Sequence, residues 1–184
     1  ALLPQARIRT GAGTVIIEIS NGNRIFLSEN SEISIDTSKM IARDAATGAA
    51  PRLFIRLGQK NGRVVSILTQ LPARSAFWIS TPVVTSGVRG TIYSSRVSVT
   101  GTQIETLEGS VKVGGVSAAG GQTVSVTRAG PGKVQPMTPE AKSALKKIAD
   151  AAMAPRAPPI NKCIAGLKVH NGNSSDVTVT IAGT

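Results

Sequence analysis

The sequence predicts a mainly β protein: a solenoid-like or sandwich-like stack of short strands, with one C-terminal α-helix and an added β-hairpin. Turn signals such as Asn21-Gly22 and Glu108-Gly109 recur at roughly ten-residue intervals. Runs rich in Val, Ile and Thr lie between these turns, as is typical of strands. Aromatic residues make up only 3% of the chain, so most of the core must come from Val, Ile, Leu and Ala.

Each candidate strand is a short run between two turn signals. The candidates are residues 14–19, 24–27, 32–35, 52–57, 63–68, 76–80, 92–99, 103–107, 110–113 and 122–126. Several runs alternate apolar and polar residues, for example Leu53, Ile55 and Leu57, which gives the strand one buried face. The Asn61-Gly62 pair is interpreted as a turn. The spacing leaves a sandwich, a barrel and a stacked solenoid open.

A single α-helix is predicted from Thr138 to Met153. Thr138 is a suitable N-cap, and Pro139 and Glu140 suit the first turn. Apolar residues then recur along one face until Pro155 ends the helix. This face consists of Ala141, Ala144, Leu145, Ile148, Ala149, Ala152 and Met153. We expect it to cover the open end of the β stack, and a membrane surface or a partner is the alternative.

The segment after the helix is predicted to be a stiff connector followed by a hairpin. Pro155–Pro159 is the connector. The hairpin strands are residues 164–169 and 176–181, and they either dock on the main sheet or add to another subunit. Residues of this possible contact element are Leu167, Val169, Val177, Val179 and Ile181. We expect two parts: a β domain over residues 1–132, then helix, connector and hairpin over residues 133–184.

The chain is basic, with 21 Lys and Arg against 10 Asp and Glu and a formal net charge of +11. No block of five like charges occurs. This composition is typical of a solvated basic surface or of affinity for an anionic partner, such as an envelope glycan, lipid phosphate or an acidic protein face. Nucleic acid is a poor candidate, because the aromatic residues needed for base stacking are interpreted as core residues. These are Phe26, Phe54, Phe77, Trp78 and Tyr93. No apolar run is long enough to predict a transmembrane segment.

The sequence contains no pattern typical of an enzyme. Cys163 and His170 are the only residues of their types, and no orienting acid lies beside them. One Cys, one His and scattered acids do not supply a metal-ligand set at known spacing. Gly114-Gly115 and Gly120-Gly121 precede no helix that would form a phosphate-binding loop. We therefore expect no catalytic residues, no cofactor and no metal.

Two glycine-containing motifs are the most distinctive features. In Val88-Arg89-Gly90-Thr91, the glycine suggests a positive φ or a crowding neighbouring strand. The guanidinium of Arg89 either binds an anion or pairs inside the fold with Glu105 or Glu108. The second motif, Leu107-Glu108-Gly109-Ser110-Val111, predicts a tight turn between two strands.

Together with Arg7–Gly11, Asn21–Leu27, Thr81-Pro82 and Gly121-Gln122, these motifs make residues 5–128 resemble the FecR domain, a family of bacterial cell-envelope modules. The resemblance favours the solenoid-like arrangement of strands. It also implies that Val88, Arg89, Gly90, Thr91, Glu108 and Gly109 determine the fold and do not bind a ligand.

The resemblance implies export to the periplasm or the cell surface of a bacterium. Family members that carry the domain without a transmembrane helix resemble this chain most, so we expect a non-enzymatic envelope protein that acts by protein–protein assembly. The alternative is a periplasmic signal-transduction module that relays the state of a receptor, as in FecR-like regulators.

Overall fold

Two β-sheets that share one long strand form the main part of the structure. The structure, a computed structural model, describes residues 6–19, 22–42, 48, 50–69, 71–88 and 90–154, and the backbone of residues 163–164, 167–171 and 177–180. The strands are β1 Ala6–Thr10, β2 Val15–Glu18, β3 Arg24–Leu27, β4 Glu32–Ile41, β5 Arg52–Leu68, β6 Ala76–Ser80, β7 Thr85–Val88, β8 Thr91–Val97, β9 Thr102–Glu108, β10 Ser110–Val113, β11 Val116–Ala119, β12 Gln122–Thr127, β13 Gly130–Pro131, β14 Gln135–Pro136, β15 Cys163–Ile164, β16 Leu167–Asn171 and β17 Val177–Thr180. The helix, α1, is Pro139–Met153.

Sheet 1 has the order β17-β1-β4-β5-β6-β7-β10-β11. Sheet 2 has the order β15-β16-β2-β3-β5-β8-β9-β12. The short strands β13 and β14 pair with the outer edge of β12. The N-terminal part of β5 belongs to sheet 1 and its C-terminal part to sheet 2.

The prediction of a turn at Asn61-Gly62 is wrong, because both residues lie within the long strand β5. The chain stays in strand pairing from Arg52 to Leu68 and passes from one sheet to the other near this dipeptide. Gly62 has a φ of +82°, and a Cβ there would lie 2.5 Å from the Cα of Ser31. The glycine therefore allows the strand to bend against a neighbouring backbone without ending it.

The main core lies between the inward faces of the two sheets, where the alternation predicted for the strands is observed. It includes Ile8, Ile17, Leu57, Phe77 and Ile104, all nearly inaccessible to solvent. The sheets share β5, and the chain passes between them at the β1–β2, β3–β4, β5–β6, β7–β8, β9–β10 and β11–β12 connections. Sheets 1 and 2 therefore form one continuous sheet that is nearly closed into a barrel.

The solenoid-like arrangement is wrong. In a stack of coils, each strand pairs in parallel with its equivalent in the next coil. Within the described residues, only β5 and β6 pair in parallel, and the other strand pairs are antiparallel. Short connections between consecutive strands of one sheet favour this antiparallel order, because a short turn can join neighbouring paired strands only when they run in opposite directions. The pairs joined in this way are β2–β3, β6–β7, β8–β9 and β10–β11.

The predicted helix is confirmed, but it docks in a different place. The Oγ1 of Thr138 accepts a hydrogen bond from the backbone N–H of Ala141 at 3.2 Å, as expected of an N-cap. Leu145, Ala149 and Ala152 are buried against the outward face of sheet 2. That face presents Ile16, Phe26, Val65, Ile67, Ile92 and Leu107. The helix therefore covers an apolar sheet face, and not the open end of a stack.

The C-terminal strands also differ from the prediction, since they do not form a hairpin with each other. β16 pairs with β2 in sheet 2, and β17 pairs with β1 in sheet 1. Leu167, Val169, Val177 and Val179 of the possible contact element thus lie in strands that complete the protein's own sheets. Ile181 lies outside the described residues. The division at residues 132 and 133 remains a prediction.

Candidate interaction surfaces

The two glycine-containing motifs meet at one corner of the barrel. Gly90 precedes β8 and Gly109 joins β9 to β10, with φ values of +64° and +78°. A Cβ on Gly109 would lie only 2.5 Å from the carbonyl oxygen of Gly90, whereas a Cβ on Gly90 would meet nothing within 4 Å. The Oγ1 of Thr91 donates a hydrogen bond to the carbonyl of Ser110 at 3.1 Å. The positive φ expected at Gly90 is confirmed, but the crowding occurs at Gly109.

The other residues of these motifs have different surroundings. Val88 faces the core and pairs with Val111. Glu108 is exposed at the end of β9. Arg89 lies outside the described residues. One partner proposed for it, Glu105, is already paired with Arg63.

The Arg63–Glu105 pair was not predicted, and it is a mostly buried ion pair on the outward face of sheet 2. The Nη2 of Arg63 lies 2.9 Å from Oε2 of Glu105, and its Nε donates to Oγ of Ser94 at 2.8 Å. Only 14% of the Arg63 side chain and 8% of the Glu105 side chain are exposed. Burial lowers the pKa of the Arg63 guanidinium, and the neighbouring carboxylate of Glu105 opposes this effect. The sequence contained one indication that Arg63 lies on this face: it stands two residues before Val65 and four before Ile67, so the three side chains share one face of β5.

A second cation from the sheet holds the end of the helix. The Nη1 of Arg24, on β3, donates to the carbonyl oxygens of Ala152 and Ala154 at 2.8 and 3.2 Å. The last turn of α1 contains no basic residue of its own. Arg24 therefore supplies the positive charge that favours a helix C-terminus.

The outward face of sheet 1 carries a row of side chains that crosses five strands. The row runs Arg56, Trp78, Gly87, Lys112 and Ser117, each paired in register with the next. The Cζ of Arg56 lies 5.8 Å from the centroid of the indole ring. Because Gly87 has no side chain, the indole leans over it, and a groove of about 620 Å³ remains between Trp78 and Lys112. Trp78, expected in the core, lies on the outer surface, whereas Phe77 and Tyr93 are buried as expected.

An acidic residue on the same sheet is neutralised locally. Glu32 accepts a hydrogen bond from Nη2 of Arg9 at 2.8 Å and lies 3.6 Å from Nζ of Lys60. Burial acts to raise the pKa of Glu32, but the two cations outweigh it and hold the pKa below its usual value.

The described residues contain no cluster of three or more His, Cys, Asp and Glu side chains placed to hold a metal ion. Burial raises the pKa of Tyr93 to about 12, which keeps this phenol neutral inside the core. Cys163 and His170 lie in β15 and β16, of which the backbone is described. In the described part of the chain, the one helix is too short and too polar to span a bilayer.

Comparisons with known proteins identify the fold and the family. Two crystal structures of a protein from Parabacteroides distasonis ATCC 8503, described as a "putative anti-sigma factor", resemble this one with TM-scores of 0.53 and 0.57 at 9% sequence identity. The similarity covers 77% and 78% of this chain and 64% of those chains. No curated protein sequence matches significantly. The family model described as "FecR protein" matches residues 6–112, which is more than half of the sequence. This chain therefore belongs to the FecR family.

Proposed function

We propose that this protein is a non-enzymatic regulatory module of the bacterial periplasm, which relays the state of a receptor through contacts with protein partners. The observation that carries the proposal is the FecR family match over residues 6–112. That range contains β1 to β9 and most of β10, and therefore the shared strand β5 and the corner at Gly90 and Gly109.

The fold similarity supports the same proposal. The Parabacteroides distasonis protein is described as an anti-sigma factor, a class that acts by binding another protein. This chain spans 64% of that protein's length. The described residues supply well-packed surfaces, since both sheets have buried inner faces, and α1 packs on sheet 2 with its C-terminal end held by Arg24. Surfaces of this kind suit recognition of a partner.

The regulatory role is tested in the source bacterium by deleting the gene and restoring it in two forms. One form carries an export signal and the other is retained in the cytoplasm. We expect the deletion to change a limited set of transcripts under one alternative sigma factor, and only the exported form to restore them. An unchanged transcript profile, or equal rescue by the cytoplasmic form, contradicts the proposal.

A second candidate function is assembly of an envelope structure, and the C-terminal strands favour it. β16 and β17 are added to β2 and β1 after the proline-rich segment. An identical copy offers the same two edges, so exchange of these strands between copies would build an assembly without a new interface. Light scattering on the purified chain tests this: a defined oligomer that is lost on removal of residues 160–184 supports assembly. A monomer at all concentrations contradicts it.

A further inference from the structure

The two sheets differ in the charge that they present. The strands β1, β4, β6, β7, β10 and β11, with residues 52–60 of β5, carry seven basic and two acidic residues. The basic residues are Arg7, Arg9, Lys39, Arg52, Arg56, Lys60 and Lys112, and the acidic ones are Glu32 and Asp36. The strands β2, β3, β8, β9, β12 and β16, with residues 61–68 of β5, carry four basic and three acidic residues. The excess positive charge is therefore concentrated on sheet 1.

The groove beside Trp78 lies within this basic face. Trp78 and Lys112 pair with the same residue, Gly87, on opposite sides, so their strands are about 9–10 Å apart. Besides Trp78 and Lys112, most of the residues that line the groove are small or carry a hydroxyl group, and no acidic residue lines it; the hydroxyl-bearing ones include Thr85, Ser110 and Ser117. The strands beneath the groove, β6, β7 and β10, are already paired with neighbours on both sides, so an occupant would bind through side chains and not by pairing with the sheet backbone.

The indole has the exposure and the geometry of a binding platform. Trp78 is partly exposed, and the edge of its ring that carries Nε1 lies over Gly87, where an added Cβ would be 3.5 Å from Nε1. No acceptor among the described residues takes the indole N–H in a hydrogen bond. Arg56 contacts the ring on the side of β5, away from Lys112. The groove thus offers an apolar ring, an unused donor, hydroxyl groups and a cation.

We propose that this groove binds an acidic oligosaccharide, with the apolar C–H face of one sugar ring against Trp78 and a carboxylate of the sugar paired with Lys112. An aromatic surface combined with a few convergent polar groups is a usual composition for a small-ligand site. Hydroxyl side chains can both donate to and accept from sugar hydroxyls. A peptide is disfavoured, because the groove offers neither a free strand edge nor the alternating side-chain pockets that extended peptides use. This binding does not require the regulatory role, and either can fail without the other.

Trp78 is the only tryptophan of the chain, so its fluorescence reports on this groove alone. The full chain is titrated with an oligogalacturonate, with a neutral oligosaccharide of the same length, and with an oligoglutamate of the same charge. We expect saturable quenching or a wavelength shift with the oligogalacturonate at physiological ionic strength. We expect at least tenfold weaker binding of the other two probes.

Two variants with the same change in charge locate the binding. Lys112→Gln removes the cation of the groove, and Lys142→Gln removes an exposed lysine on α1. Loss of a charge-assisted hydrogen bond predicts roughly tenfold weaker oligogalacturonate binding for Lys112→Gln and unchanged binding for Lys142→Gln. Coincident thermal melts of the two variants confirm that both are folded. The proposal is overturned by no fluorescence response, by equal losses in the two variants, or by equal binding of oligoglutamate.

Discussion

Gly109 lies close to the backbone of Gly90 and Thr91 at the barrel corner, and this contact makes it the more sensitive of the two motif glycines. Both Gly90 and Gly109 have φ values in the left-handed region, +64° and +78°. An L-residue at either position costs about 1–2 kcal/mol in backbone energy. Only at Gly109 would a new Cβ also overlap backbone atoms, those of Gly90 and Thr91. We infer that the corner determines the fold through Gly109 more than through Gly90.

The comparison of Gly109→Ala with Gly90→Ala tests this inference. We expect Gly90→Ala to reduce the free energy of unfolding by about 1 kcal/mol, from backbone strain alone. Gly109→Ala should cost roughly 3 kcal/mol or more, because the neighbouring backbone must also move. Denaturant unfolding monitored by circular dichroism measures both values. Equal losses of stability in the two variants would show that the packed corner has no special role.

Tyr93 gives a prediction about high pH. It is the only tyrosine in the chain, and burial raises its pKa to about 12 in the folded protein. The unfolded chain should ionise near the ordinary tyrosine pKa of about 10. Because the folded pKa is the higher one, the contribution of Tyr93 to stability is complete below about pH 10 and is lost as pH rises towards 12.

Phenolate absorbance measures this shift directly. We expect only about a tenth of the full phenolate signal from the folded protein at about pH 11, and half-ionisation near pH 10 in urea. Tyr93→Phe should remove the signal and make the loss of stability above pH 10 less steep. A phenolate signal that rises near pH 10 in protein that is still folded would show that Tyr93 is accessible to solvent.

At the scale of the element, α1 holds an apolar sheet face away from water. Leu145 is fully buried at the centre of this contact, and its neighbour Ala144 is exposed. The face beneath the helix is large and apolar, and a surface of this kind promotes association when exposed. Detachment of the helix should therefore change the solution behaviour of the protein while leaving the inner core intact.

Leu145→Asp and Ala144→Asp form a matched pair for this test. We expect Leu145→Asp to release the helix, because the buried carboxylate would have no partner. Bound hydrophobic dye and the sedimentation coefficient should both increase. Ala144→Asp adds the same charge one residue away and should leave the protein unchanged. A Leu145→Asp protein that binds no dye and sediments as the wild type does would mean that α1 does not protect sheet 2.

At the scale of the whole molecule, the C-terminal strands β16 and β17 pair with strands from the beginning of the chain. β17 pairs with β1, and β16 pairs with β2, so both sheets depend on residues from the two ends of the sequence. Removal of residues 160–184 leaves the main core in place, but it exposes the outer edges of β1 and β2. Exposed strand edges favour pairing with other chains.

Complementation with a peptide tests this arrangement. We expect the protein without residues 160–184 to fold with reduced stability, and a peptide of residues 160–184 added in trans to raise its unfolding midpoint. A peptide with the same composition in scrambled order is the control. If the truncated protein is as stable as the full chain and gains nothing from the peptide, the C-terminal strands do not contribute to the sheets.

The sequence by itself determined the local features of this protein. The alternation of Leu53, Ile55 and Leu57 identified a strand with one buried face, and Thr138-Pro139 located the beginning of the helix. Residues 88–91 and 107–111, together with the motifs at residues 7–11 and 21–27, pointed to the family, which the match over residues 6–112 shows. These features depend on near neighbours in the chain: side chains two apart share the face of a strand, and an N-cap bonds to an amide three residues later.

Only the tertiary structure decided which strands pair and which surfaces result. Backbone hydrogen bonds between strands are the same for any side chains, so the sequence did not show that β17 pairs with β1 or that β5 spans both sheets. Trp78 was expected in the core with the other aromatic residues, but it lies on the outer surface. Its neighbours in the groove, Gly87 and Lys112, come from other strands, so no local pattern predicted the groove. The groove and the Arg63–Glu105 pair exist because long-range pairing brings together residues that no local pattern connects.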